Sequence, residues 1–164
     1  MNRRSFIKLA VGGAGILVSL RFTGLEQAMA AERIERINKS DAEWKKLLTA
    51  EQYHVLREEG TERAFSNPLE HESRNGMFVC AACELGLFPS KFKYDSGTGW
   101  PSFTDALPGH VETKTDFKLI MPRTEYHCAR CGGHQGHVFK DGPAPTGLRY
   151  CNNGVALKFI PDKA

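Results

Sequence analysis

The first regular pattern of apolar and polar positions is helical and begins near residue 40. Trp44, Leu47 and Leu48 follow one another at i, i+3 and i+4, so a helix would carry them on one apolar face. The stretch "SDAE" has the spacing of a capping box, in which Ser40 caps the first turn and Glu43 reaches back to it. The pattern therefore predicts a helix that begins after Ser40.

A second capping signal follows directly in "TAEQ", from Thr49 to Gln52. It predicts another short helix, which carries Tyr53 and Leu56 on its apolar face and which Gly60 ends.

Beyond residue 60 the pattern changes to short apolar runs of strand length. Gly, Pro, Asn and Asp separate the runs, and these residues favour turns. The runs are "MFVC", "KFKY", "HVETK", "FKLIM", "EYHC", "HVF" and "VALKFI". We therefore expect a mainly β, α+β fold with an antiparallel β core after short N-terminal helices. A length of 164 residues suits one such domain, which we place at residues 40–164.

The first thirty residues have the three parts of a signal peptide. Basic residues come first, an uncharged apolar run occupies residues 9–20, and small residues end at Ala30. The stretch "RRSFIK" resembles a twin-arginine export signal. We predict cleavage after Ala30, a linker over residues 31–39, and a periplasmic protein without a stable membrane anchor. An uncleaved anchor and a mitochondrial transit peptide are the alternatives.

Charge gives little support to a nucleic-acid partner. The net charge of +3 comes from the predicted signal peptide, which leaves 18 basic and 18 acidic groups in the rest of the chain. A neutral body offers no basic face for phosphates, so we expect no nucleic acid to bind. Because the twin-arginine route carries folded proteins, often with a cofactor, the signal directs attention to possible cofactor ligands.

Four of the five cysteines form two CxxC pairs, "CAAC" and "CARC". Each pair puts two thiols on one tight turn, where a tetrahedral zinc ion can bind both at about 2.3 Å. Disulfides or redox centres are the alternatives in an exported protein, although a bridge within CxxC closes a small strained ring. We predict one structural Zn²⁺ per chain. Its ligands are Cys80, Cys83, Cys128 and Cys131.

The fifth cysteine, Cys151, has no cysteine neighbour. If the segment is a strand, Arg149 and Asn153 share a face with Cys151, and the guanidinium would favour the reactive thiolate. Two histidines, His134 and His137, stand three residues apart just after the second CxxC turn. The alternative is that Cys151 is a small buried apolar residue and Arg149 a surface charge.

The spacing of these residues resembles the signature of the MsrB family, the methionine-(R)-sulfoxide reductases. The resemblance runs from about Ser40 to Phe159 and includes both CxxC pairs, "SGTGWPSF", the H-x-G-H-V-F segment, D-G-P, P-T-G and R-Y-C-x-N. It implies a twisted antiparallel β core with peripheral helices. It also implies reduction of methionine-(R)-sulfoxide, protein-bound or free, to methionine.

The resemblance implies a role for each candidate residue. Cys151 matches the nucleophile, and the four CxxC cysteines match the zinc ligands. Trp100 matches the aromatic wall for the substrate's ε-methyl group, and Phe139 matches a second side of that pocket. The groups that place substrate and move protons would be His134, His137, Arg149 and Asn153. Asp141 is a weaker match for substrate binding, since Asp before Gly-Pro is also a natural turn residue.

The implied reaction needs a thiolate and an acid close together, because the sulfoxide oxygen must be protonated as the sulfur is attacked. It leaves Cys151 as a sulfenic acid. Many family members carry a resolving cysteine where this chain has Thr98. We therefore predict a one-cysteine cycle in a monomer, recycled by a small thiol or a thioredoxin-like partner.

Two other functions use the same residues differently. A zinc-stabilised module could hold a peptide in the Trp100 groove without catalysis, and a thiol oxidoreductase could use the CxxC pairs. Replacement of Cys151 separates the first alternative from an enzyme, because a binding module would keep its affinity. Zinc that stays bound when the protein is treated with an oxidant would count against the thiol oxidoreductase.

Overall fold

The computed structural model describes residues 34–118 and 121–163. The predicted signal peptide and its cleavage point after Ala30 lie outside the described residues, as do residues 31–33 of the predicted linker. None of the helices in the described ranges is long and apolar enough to cross a membrane.

Two short helices open the fold, α1 (Asp41–Leu47) and α2 (Ala50–Glu58). Both predicted capping boxes are confirmed: the Ser40 hydroxyl accepts from the Glu43 backbone N–H, and Thr49 accepts from that of Gln52 at 3.1 Å. Helix α2 ends one residue earlier than predicted, because Glu59 itself adopts the left-handed conformation at φ 56°.

Within the described residues, nine strands form two antiparallel sheets. Their bounds are β1 (Gly76–Cys80), β2 (Gly86–Pro89), β3 (Lys93–Tyr94), β4 (Ser102–Phe103), β5 (Val111–Asp116), β6 (Arg123–Cys128), β7 (His134–Phe139), β8 (Arg149–Asn152) and β9 (Leu157–Pro161). The smaller sheet has the order β2-β1-β9, and the larger one the order β3-β4-β8-β7-β6-β5. The predicted mainly β, α+β class is confirmed.

Three predicted runs differ from the observed strands. "KFKY" and "VALKFI" each begin with the last two residues of a 3₁₀ turn, Ser90–Phe92 and Gly154–Ala156 respectively, and their strands start only after it. In "FKLIM", Phe117, Lys118 and Met121 lie outside any strand, and residues 119–120 are not described. The physical reason is that the β5–β6 ladder ends at Asp116, whose carboxylate accepts the Lys118 N–H at 2.8 Å and turns the chain.

Aromatic side chains join the two sheets in the core. Phe88 of the small sheet stacks on Phe103 of the large sheet, with ring centroids 4.2 Å apart. Phe78 meets Phe103 edge-on, and Phe88 meets Tyr126 in the same way. All four rings are fully buried, so they contribute a large share of the hydrophobic stabilisation. They also fix the larger sheet, which carries the candidate active site.

Candidate active site and metal centre

The two CxxC turns meet at the junction of the two sheets. Cys80 ends β1 of the small sheet and Cys128 ends β6 of the large sheet. Cys83 and Cys131 follow in the turns, and all four Sγ atoms lie within 4.8 Å of one another. The contacts between the turns are short, at 3.6 Å for Cys80–Cys131 and 3.5 Å for Cys83–Cys128. The fold thus brings together the four predicted metal ligands.

The geometry of this cluster fits a tetrahedral metal ion. Metal–sulfur bonds of about 2.3 Å give a tetrahedron with sulfur–sulfur edges of about 3.8 Å, close to the observed separations. A disulfide has an S–S length of about 2.05 Å, so these cysteines are free thiols. The buried Gln135 amide also donates to Cys80 Sγ at 3.4 Å, which would help to balance thiolate charge. A four-sulfur donor set suits Zn²⁺.

Cys151 lies at the centre of the larger sheet. Its strand β8 pairs with β4 on one side and β7 on the other, and the register sets Cys151 opposite both Ser102 and His137. Directly opposed residues of antiparallel strands share a face, so these side chains are neighbours. Gly136 allows the close approach of β7, because a Cβ there would lie 1.9 Å from the Cys151 carbonyl oxygen.

A cavity of about 130 Å³ opens beside the Cys151 thiol. Its walls include four predicted site residues besides Cys151, together with residues that the sequence gave no reason to choose. The predicted ones are Trp100, His137, Phe139 and Asn153, and the others are Thr61, Arg123, Gly136 and Asn152. His134 and Asp141 are not among the lining residues. The cavity is small and aromatic on two sides, which suits a methyl thioether.

His137 is held by a carboxylate that sequence reasoning missed. Its Nε2 lies 2.7 Å from Asp116 Oδ2, and Arg123 Nη2 donates to the same oxygen at 2.6 Å. The Lys118 backbone N–H and His137 hold the pKa of Asp116 well below its ordinary value, so this carboxylate stays ionised. The charged Asp116 carboxylate therefore orients the His137 imidazole.

His134 lies behind His137, with ring centroids 5.5 Å apart. It is 3% exposed, and its Nδ1 lies 2.8 Å from Glu125 Oε1. Glu125 in turn pairs with Lys114 at 3.1 Å. Burial lowers the pKa of His134 in spite of Glu125, so this ring is neutral at pH 7. The structure separates the two histidines into one that lines the cavity and one that is buried.

Arg149 and Asp141 form a two-pronged pair beside the cavity. Arg149 Nε and Nη2 donate to the two carboxylate oxygens of Asp141 at 2.9 and 2.8 Å. The guanidinium also lies 4.3 Å from the centre of the Phe139 ring. Asp141 therefore contacts Arg149 instead of the cavity predicted for it.

The environment of Cys151 opposes its ionisation on balance, although the Arg149 guanidinium favours the thiolate. Burial raises the pKa of the Cys151 thiol above its ordinary value. The Arg149 charge acts in the opposite direction, as do hydrogen bonds with Thr98 and Arg149, but they only offset part of the effect. The resting protein therefore holds a mostly protonated thiol at neutral pH.

Asn153 lines the cavity, and both polar atoms of its side chain are hydrogen-bonded to the backbone. Its Oδ1 accepts from the Glu62 N–H at 3.0 Å, and its Nδ2 donates to the Gln135 carbonyl at 3.0 Å. The Glu62 carbonyl accepts from Trp100 Nε1 at 3.2 Å, and the buried Glu62 carboxylate accepts the Val155 N–H at 2.8 Å. Glu62, which the sequence did not single out, thereby links the Trp100 wall to the chain after β8.

A single thiol in an aromatic cavity, with an oriented histidine and a separate cluster of four cysteines, is a site typical of thiol-dependent enzymes. Comparison with known proteins agrees: residues 48–161 match the SelR domain. The chain is 54% identical to "Peptide methionine sulfoxide reductase MsrB" of Agrobacterium fabrum over 127 residues, covering 77% of this chain and 94% of the relative.

Two further relatives carry the same name. The protein of Methanosarcina barkeri is 56% identical over 124 residues, covering 75% of this chain and 87% of its own length. The protein of Leptospira interrogans is 55% identical over 124 residues, covering 75% and 95%. The chain belongs to the MsrB family of peptide methionine sulfoxide reductases.

Proposed function

We propose that this protein reduces methionine-(R)-sulfoxide, protein-bound or free, to methionine, with Cys151 as the nucleophile. The observation that carries the proposal is the cavity itself, where the Cys151 thiol meets Trp100 and the oriented His137. Trp100 and Phe139 supply an apolar wall for the S-methyl group, and sulfur–aromatic contact contributes about 0.3 to 1.5 kcal/mol.

The first step transfers the oxygen atom from substrate to enzyme. Cys151 Sγ attacks the sulfoxide sulfur as a thiolate while an acid protonates the sulfoxide oxygen. The S–S bond formed by this attack then breaks as the hydroxyl group moves from the substrate sulfur to Sγ, so methionine leaves with the bonding electron pair and Cys151 is left as its sulfenic acid. Two electrons pass from the cysteine sulfur to the sulfoxide, so the substrate is reduced and Cys151 is oxidised. Arg149 partly offsets the cost of forming the buried thiolate.

His137 is our candidate for the acid. It lines the cavity opposite Cys151, and the Asp116 carboxylate holds its imidazole in place. Neutral, buried His134 would instead pack behind His137 and help to fix the position of its ring. Asn153 and Asp141 act on the site through their neighbours, which are the Glu62 backbone and Arg149.

Recycling requires a thiol from outside the chain. The four other cysteines sit together in the metal cluster, and Thr98 stands where a resolving cysteine would be needed. An external thiol condenses with the sulfenic acid to a mixed disulfide and releases water. A second thiol then restores Cys151 and leaves as the oxidised donor. A small thiol or a thioredoxin-like protein has this chemistry.

We assign one structural Zn²⁺ per chain to Cys80, Cys83, Cys128 and Cys131. The ion would supply structural cross-linking, because its ligands come from the ends of a strand in each sheet. The cysteines that would hold it are then not free to react with the sulfenic acid of Cys151.

We further propose a monomer that acts in the periplasm. Residues 1–30 support twin-arginine export and cleavage after Ala30, by their paired arginines, apolar run and A-x-A ending. Export in the folded state allows the metal to be loaded in the reducing cytoplasm. Oxidised exported proteins, with their exposed methionine sulfoxides, would be the substrates.

The test of this function is turnover of the separate R and S epimers of a methionine-sulfoxide substrate, with dithiothreitol as reductant. We expect activity on the R epimer alone, and its loss in Cys151→Ser with zinc content and circular dichroism unchanged. No activity on either epimer, with metal bound and Cys151 reduced, would contradict a reductase. Peptide affinity that survives in Cys151→Ser would then identify a binding module.

A further inference from the structure

Three hydroxyl groups form a hydrogen-bonded chain that begins beside the Cys151 thiol. Thr98 Oγ1 lies 2.8 Å from Ser96 Oγ, and Ser96 Oγ lies 2.7 Å from Ser102 Oγ. The Ser102 hydroxyl donates to the Trp100 carbonyl at 3.2 Å. Ser102 lies directly opposite Cys151 in the β4–β8 ladder, and at the other end the Thr98 hydroxyl lowers the pKa of the Cys151 thiol against the larger effect of burial.

The backbone holds both ends of this chain. Thr98 lies between two glycines with positive φ, Gly97 at 68° and Gly99 at 85°, which form a tight loop. The Asp95 carboxylate fixes the loop by accepting the Gly97 N–H at 2.8 Å. Ser102 is fully buried in β4, directly opposite Cys151. The positions of Thr98 and Ser102, at the two ends of the hydroxyl chain, are therefore set by the backbone around them.

The three hydroxyl groups can rearrange their hydrogen bonds to suit either the neutral or the ionised form of the Cys151 thiol. Its far end is the Trp100 carbonyl, which only accepts, so the Ser102 hydrogen is directed there. With a neutral thiol, Thr98 donates to Ser96 and Ser96 to Ser102. When Cys151 ionises, Thr98 turns its hydrogen to the sulfur and Ser96 turns to Thr98. Each hydroxyl keeps a partner, so the reversal leaves no buried polar group unpaired.

We propose that Thr98 is a further catalytic residue, whose hydroxyl donates to the Cys151 thiolate, and that Ser96 and Ser102 position it. The proposal rests on the assignment of Cys151 as the nucleophile. A donor is needed here because burial disfavours the charged form of this thiol. Arg149 also contacts Asp141 and Phe139, whereas within the described part of the chain Ser96 is the one side chain hydrogen-bonded to the Thr98 hydroxyl.

The test is the pH dependence of Cys151 alkylation by iodoacetamide in the zinc-loaded protein, followed by mass spectrometry of the Cys151 peptide. Only the thiolate reacts, so the profile reports the pKa of Cys151. Thr98→Val keeps the shape of the side chain and removes the donor. We expect it to raise the apparent pKa by about one unit, which makes alkylation about tenfold slower below that pKa. Thr98→Ser keeps the hydroxyl and should follow the parent profile.

Ser96→Ala provides a second, independent variant. It should shift the profile in the same direction by a smaller amount, about twofold in rate at neutral pH, because Thr98 loses its supporting donor. Ser66→Ala is the matched control, since the exposed Ser66 hydroxyl donates to the Arg63 carbonyl and should leave the profile unchanged.

The reductase rate of Thr98→Val should fall at neutral pH and recover at higher pH. Identical profiles for the parent protein, Thr98→Val and Ser96→Ala would overturn the proposal, as would an equal shift in Thr98→Ser and Thr98→Val. If Thr98→Val loses zinc or structure, Ser96→Ala alone decides. Alkylation needs no sulfoxide, so the result stands apart from the test of the reductase function.

Discussion

The same amino acid has two environments in this protein, and they suit it to opposite purposes. In the cluster, the neighbours of each sulfur are other sulfurs, with three of the four cysteines buried. The neighbours of Cys151 are a guanidinium, a hydroxyl group and an aromatic cavity. The comparison teaches that a thiol's neighbours decide its chemistry: a closed set of sulfurs holds a metal, whereas a single thiol at a cavity is available to a substrate.

The two regions are nevertheless joined by one strand. Strand β7 begins at His134, directly after the Cys131 turn, and presents His137 to Cys151. Arg57 of α2 holds the same turn by donating to the Cys131 carbonyl at 2.9 Å. The cluster can therefore position the candidate active site without taking part in the reaction.

The largest expected effect comes from breaking the cluster. We expect Cys128→Ser to abolish zinc binding and the cooperative thermal transition. Structural zinc contributes about 10–16 kcal/mol in small zinc domains, as much as the whole stability of a typical domain. Zinc content and thermal unfolding by circular dichroism check this outcome. Cys151→Ser is the matched control and should keep both the metal and the transition. A Cys128→Ser protein with one zinc and an unchanged Tm would refute a structural metal.

Replacing the proposed general acid, His137, should have a smaller effect that is confined to the rate of reaction. We expect His137→Asn to lower kcat by about 10² to 10⁴, the usual contribution of a general acid, with zinc content and Tm nearly unchanged. His71→Asn is the control, because this histidine is exposed and lies outside the Cys151 cavity. A kcat that falls less than tenfold would remove His137 from the acid role and return His134 to consideration.

Much of the fold could be predicted because its signals are local. The capping boxes of α1 and α2 depend on residues three positions apart, and strands such as "EYHC" and "HVF" stand between turn residues. "GLFP" was missed because its Gly and Pro look like turn residues, although β2 needs only an edge position. "FKLIM" was predicted as a strand from its apolar residues, yet Phe117 and Met121 are each 74% exposed, since no ladder continues past Asp116.

The candidate site could be predicted only in part, because several of its residues come from distant positions in the chain. Cysteine spacing and the segment around Cys151 carry local signals. Asp116, Glu125 and Glu62 reach the site through strand pairing or loop packing, from positions 9 to 93 residues away from their partners in the chain. Acidic residues in polar stretches are ordinary, and no spacing rule selects them. The opposing effects of burial and Arg149 on the pKa of Cys151 likewise depend on packing that a sequence pattern does not contain.

The most direct test of the account is a single turnover without any reductant. The zinc-loaded protein is mixed with excess methionine-(R)-sulfoxide, methionine is counted, and the protein is mapped by mass spectrometry after the sulfenic acid is trapped. The account predicts one methionine per chain, one trapped oxidation at Cys151, and four unmodified cluster cysteines with zinc retained. A disulfide between Cys151 and a cluster cysteine, with release of zinc, would contradict the separation of the two thiol environments.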